Sequence, residues 1–135
     1  MITLATLPDS TAQGVFDHIA KHLLSQGERC AEIDSTDDGP ICKYRNSDNQ
    51  SCAAGCLFGI GEYKSSMEGR NWTSLRADGV VPQDHFDLIV QLQQVHDTVP
   101  AMNWYNHLLT VAKRWSLDAT NLDIYAIQNN YTIQD

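Results

Sequence analysis

A chain of 135 residues has the length of one domain and can bury about two-thirds of its unfolded surface around a single core. Its 42% hydrophobic and 19% charged residues make it too apolar for a disordered chain. A formal charge of −8 argues against direct nucleic-acid binding and attachment to anionic membranes, and no apolar run approaches the ~18 residues needed to cross a bilayer.

The N-terminus, Met1 to Asp9, lacks the charged start and long apolar stretch of a secretory signal, so the expectation is a protein that stays where it is made. From Thr11 to Gln26 the spacing predicts an amphipathic helix. Ser10 or Thr11 caps it, Val15, Phe16, Ile19, Ala20, Leu23 and Leu24 form its apolar face, and Gly27 stops it. The turn-rich segments Asp34 to Pro40 and Asn46 to Asn49 flank Ile41 to Arg45. This pattern predicts a small hairpin that returns through Asp48-Asn49-Gln50 into Ser51-Cys52. The small, apolar run Cys52 to Ile60 predicts a short buried helix, in which Gly55 permits a neighbouring element to approach closely.

Glu62 to Val80 predicts loops with one helical turn near Ser74-Leu75. Pro82 then opens a helix with Phe86, Leu88, Ile89, Leu92, Val95 and Val99 along one face, and Pro100 breaks it. A fourth helix turns Trp104, Leu108, Val111, Ala112 and Trp115 inward, and the tail from Ser116 can dock one further short helix. The expected fold is therefore mainly α with a minor β part (α+β): four to five helices around one core, a β-hairpin near residues 40–52, and a single domain over 1–135.

Cys30, Cys42, Cys52 and Cys56 are the only cysteines, and four thiolates suffice for a tetrahedral zinc site. Gaps of 11, 9 and 3 residues lack the paired knuckles of structural zinc sites, and small buried core residues are the simpler reading. A thiol nucleophile, Cys52 or Cys56, would need His96 or His107 brought to it by the fold. All five histidines (His18, His22, His85, His96 and His107) fall in predicted helices. His18 and His22 are spaced to chelate a metal, but Ile19 occupies the place of the glutamate in H-E-x-x-H, and a helix-surface role suffices for them.

Asp34, Asp37 and Asp38 lie in a loop whose polarity explains them and whose order does not match a calcium loop. With Trp72, an aromatic in an irregular segment, they are the candidate partner-binding residues. Trp104 and Trp115 share the helix-four stripe and read as core. No phosphate-binding or hydrolase motif occurs.

The block Cys52-Ala53-Ala54-Gly55-Cys56-Leu57, followed by Glu62-Tyr63 and Met67-Glu68-Gly69, resembles a family of small proteins found in phages and prophages. In that family an N-terminal amphipathic helix precedes a Cys-x-Tyr-Arg segment, here Cys42-Lys43-Tyr44-Arg45. The resemblance runs from about residue 3 to 115 and departs at Phe58-Gly59-Ile60-Gly61. It carries no known chemistry. What it implies is a cytoplasmic accessory protein of phage type acting in a bacterial host. The expected activity is non-enzymatic inhibition of a host process, a defence system such as CRISPR included, through contact with a host protein that has a basic surface. The alternatives are a zinc-stabilised regulatory module on the four cysteines and an unrecognised Cys/His enzyme.

Overall fold

The computed structural model describes residues 2–33 and 40–132. The loop that carries Asp34, Asp37 and Asp38 lies outside the described residues. Among the described residues, five α-helices and a two-stranded antiparallel sheet make up the fold: α1 (Ala12–Gln26), β1 (Ala31–Ile33), β2 (Pro40–Cys42), α2 (Trp72–Ala77), α3 (Phe86–Thr98), α4 (Trp104–Arg114) and α5 (Thr120–Gln128). The mainly α reading holds. No helix among the described residues is long and apolar enough to cross a membrane.

α1 forms as its sequence demands. The Thr11 side chain accepts the Gly14 N–H at the first turn, and Gly27 ends the helix in the left-handed region at φ 67°. All six residues of the apolar stripe are buried, and full burial of each large side chain contributes about 1.5–3 kcal/mol. α1 packs on α3, α4, α5 and the 3₁₀ turn Gly55–Leu57, so it is the central element. α5 is fastened to it by side-chain hydrogen bonds. Gln13 exchanges two with the Asp118 backbone (2.9 and 2.8 Å), and Asn121 donates to Asp17 (3.0 Å).

α3 and α4 pack against each other as expected, joined through Pro100 and the 3₁₀ turn Ala101–Asn103. α3 starts at Phe86, four residues after Pro82. Its entry residue, His85, stands outside the helix in the left-handed region at φ 58°, and its Nε2–H donates to the Ser10 carbonyl (2.7 Å).

The expected small hairpin is present, with its pairing earlier in the chain than expected. β2 pairs with β1 (Ala31 with Cys42, Glu32 with Ile41) and not with the residues after it. The predicted return is present only as a single bridge between Arg45 and Ser51. The reason is local: the Asn46 side chain fills this turn, accepting from Asp48 N–H and Gln50 N–H and donating to Gln50 Oε1, which ends the ladder. The Cys52–Ile60 run is likewise a short 3₁₀ turn, Gly55–Leu57, and not an α-helix.

Candidate functional site

The cysteine segment lies at the centre of the fold, and its surroundings contain most groups capable of chemistry. Cys30, Cys52, Ala53, Ala54 and Leu57 are buried, and the four thiols are free. Cys30 donates its S–H to the Gln50 carbonyl (3.2 Å), and Cys56 donates to the Ala53 carbonyl (3.0 Å). The Cys52 sulfur accepts the Gly55 N–H (3.2 Å). Burial raises all four thiols above their ordinary range; Cys30 and Cys42 are pushed up to about 11. At Cys42 the Asp97 carboxylate adds to burial by its charge and by a hydrogen bond to the thiol.

A direct prediction follows for Cys42, which is partly exposed. The thiolate is the nucleophile, so a rise from 9.0 to about 11 leaves about a hundredfold less of it at pH 8. Alkylation by iodoacetamide should run about a hundredfold slower than for a free cysteine and accelerate about tenfold per pH unit up to about pH 11. Mass-spectrometric labelling over a pH series measures this, and a rate matching free cysteine at pH 8 would contradict it.

The four cysteines do not converge. Among the described residues, the group of three or more possible ligands whose donor atoms lie within 4.8 Å of one another is Cys42, His96 and Asp97. Its hydrogen bonding decides against coordination. His96 is fully buried and stacked on Trp104, with ring centroids 5.7 Å apart. Its Nε2 accepts the Cys30 N–H (2.8 Å), so the single ring proton must sit on Nδ1, which donates to Asp97 Oδ1 (2.7 Å). A neutral imidazole in this tautomer has no lone pair left for a metal. Gln93 also donates to Asp97 Oδ1 (2.8 Å). The trio is thus part of a hydrogen-bonded chain that ties the start of β1 to α3.

Neither candidate nucleophile has an imidazole hydrogen-bonded to its sulfur. His96 is committed to the Cys30 backbone and Asp97, and His107 is exposed on α4. The imidazoles nearest the cysteine segment in bonding terms are those of α1. His18 Nε2 meets the Cys56 carbonyl (3.2 Å), and His22 Nε2 meets the Ser51 carbonyl (2.8 Å). Burial lowers the His22 pKa, so the ring is held neutral.

Trp72 is a correction. It is 3% exposed and packs against Tyr44 and Phe58, with centroids 6.3 and 6.1 Å away, so it is no surface anchor for a partner. The cause is α2: Asn71 caps this helix by accepting the Ser74 N–H (2.8 Å), and the helix turns Trp72 and Leu75 into the core. Its indole N–H is the one buried side-chain polar atom among the described residues without a hydrogen-bond partner. The ring helps line a cavity of about 260 Å³ with Cys42, Gln93 and Asp97.

The motif residues hold one another. The Glu68 carboxylate accepts the backbone N–H groups of Tyr44 (3.0 Å) and Arg45 (3.1 Å) and the Tyr63 hydroxyl (2.7 Å). Arg45 stacks its guanidinium over the Tyr63 ring at 4.9 Å, and the Tyr44 hydroxyl donates to the Arg70 carbonyl (2.6 Å). Burial and the neighbouring Glu68 push the Tyr63 hydroxyl up to about 12. Glu62 performs a similar task for the N-terminus, accepting from Leu4, Ala5 and Gly59 N–H. Cys-x-Tyr-Arg, Glu-Tyr and Glu-Gly therefore form a clamp between segments that lack regular secondary structure. Composition gives no sign of this division of labour, because a glutamate that satisfies backbone donors reads the same in sequence as one on the surface.

A search against protein-family models, curated proteins and solved structures finds no match to the chain.

Proposed function

We propose that the protein acts by protein–protein contact as a non-enzymatic accessory factor of phage type. In this reading it inhibits a host process, a defence system such as CRISPR included, by occupying a basic surface of a host protein. The observation that carries the reading is Ile60. Its relative exposure is 107%, and it lies on a loop whose backbone is fixed. Glu62 accepts the Gly59 N–H at 2.6 Å and ties the same loop to the Leu4 and Ala5 N–H groups, while Gly61 turns the chain at φ 78°.

A large apolar side chain displayed on a rigid loop costs little further ordering on binding, which is what a contact anchor requires. Beside the loop runs a cleft of about 660 Å³ with Leu4, Gly61, Val80, Val81 and Pro82 in its walls. The net charge of −8 supplies long-range attraction to a basic partner. Protonated thiols, internally bonded, support action without covalent chemistry.

The test is capture from host lysate with the tagged chain at low salt. The expected result is one stoichiometric partner that is retained by the wild type and lost with Ile60→Asp. Raising ionic strength from about 0.01 M to about 0.15 M should release much of it, since the Debye length falls from about 30 to about 8 Å. Failure to retain any stoichiometric partner, or equal capture by Ile60→Asp, would count against the reading.

A further inference from the structure

His18 and His22 lie one turn apart on α1 and line, with Lys21, Ser25 and Cys56, a surface cavity of about 420 Å³. Residues at i and i+4 project from the same helix face, with Cβ atoms about 5–6 Å apart. Their rings are not free to turn. Each Nε2 faces a backbone carbonyl, that of Cys56 at 3.2 Å and that of Ser51 at 2.8 Å. A carbonyl only accepts, so Nε2 carries the proton in both rings. In the neutral form of each ring the remaining lone pair is then on Nδ1, and neither Nδ1 has a hydrogen-bond partner among the described residues.

A ring whose N–H is anchored on a carbonyl and whose other nitrogen is bare has the outer-shell arrangement of metal-ligating histidines. His96, with the opposite tautomer, does not. We propose that His18 and His22 form a chelate site for one divalent ion of the zinc type, bound through their two Nδ1 atoms. Imidazole donors suit zinc, nickel and copper and do not suit calcium or magnesium. His18, His22 and Cys56 are not a group whose donor atoms all lie within 4.8 Å of one another, and the Cys56 S–H is committed to the Ala53 carbonyl, so the sulfur is not counted as a ligand. Water fills the other positions. The site is distinct from any four-cysteine arrangement. It joins α1 to the 51–57 segment, so a bound ion reinforces that junction and raises the stability of the fold.

The decisive experiment is calorimetric titration of the full chain with Zn²⁺ alone, for wild type, His18→Gln, His22→Gln and His107→Gln. Glutamine keeps an amide N–H near the position of Nε2 and removes the Nδ1 lone pair, so the carbonyl contacts are conserved while the chelate is lost. The expected result is one equivalent bound to wild type and to His107→Gln, with at least about tenfold weaker binding in each of the other two. No saturable binding to wild type, or binding in His18→Gln or His22→Gln equal to that of wild type, overturns the site. A second measurement needs no variant. Substoichiometric Cu²⁺ should broaden the ring proton resonances of His18 and His22 before those of His85, His96 and His107, and uniform or misplaced broadening overturns the proposal.

Discussion

Replacing Trp104 by alanine should lower the free energy of unfolding by about 4 kcal/mol, within the range for truncating a buried aromatic. Trp104 is fully buried at the start of α4 and stacks on the buried His96 ring, with planes 28° apart. Its indole N–H donates to the Val99 carbonyl (2.9 Å). The same carbonyl accepts from Arg29 (3.0 Å), whose Nε also holds the His96 carbonyl (3.0 Å). One side chain thus braces the end of α3, the start of α4 and the connection from α1 to β1. Truncation leaves a void and removes the stacking partner of an imidazole that the surrounding backbone prevents from moving. Urea unfolding measures the loss, and the midpoint of thermal unfolding should fall on the order of 15 °C. Trp104→Phe keeps most of the volume and loses only the hydrogen bond, so it should cost no more than about 2 kcal/mol. A loss below about 1 kcal/mol for Trp104→Ala would mean that the site collapses without a cavity.

Gly55→Ala should cost about 3 kcal/mol despite adding one methyl group. A Cβ built on Gly55 would stand 2.9 Å from the Tyr44 carbonyl carbon and closer still to its oxygen. Neither partner can give way cheaply. Tyr44 is fixed through its N–H by Glu68, through its hydroxyl by the Arg70 carbonyl and through its carbonyl by the Cys52 N–H. Its ring also packs edge-on to Phe58 at 5.7 Å. Overpacking against backbone lies at the upper end of the ~1–3 kcal/mol usual for such insertions. Gly79→Ala is the control. There φ is 70° with open space around the Cβ position, so only backbone strain opposes the change, about 1 kcal/mol. Equal losses in the two variants under the same urea titration would show that close approach is not the role of Gly55.

Both predictions bear on how far the sequence can be read. The periodic segments were legible because a helix that packs on a core must repeat its apolar residues at the helical period. The α1 stripe from Val15 to Leu24, its Thr11 cap and its Gly27 stop all stand where the pattern puts them, and Trp104, Leu108 and Val111 of α4 are buried. Gly55 was legible for a related reason: a glycine among small apolar residues marks close approach. What spacing did not disclose is which polar groups meet across the chain. Trp72 reads as irregular and exposed until Asn71 is seen to cap a six-residue helix that turns it inward.

Sequence by itself determined the periodic helices α1, α3 and α4 and the apolar faces they bury, since these depend on neighbours within one or two turns. Only the tertiary structure decided that Glu68 closes onto Tyr44 and Arg45, 24 and 23 residues away, that Cys42 stands with His96 and Asp97, and that Cys30 reaches the Gln50 carbonyl while Cys52 and Cys56 bond locally. It also decided that His18 and His22 present bare Nδ1 atoms whereas His96 does not. The physical reason is range. Hydrophobic burial is non-directional and leaves a periodic trace in the chain, whereas a hydrogen bond depends on the placement of two atoms that sequence distance does not constrain.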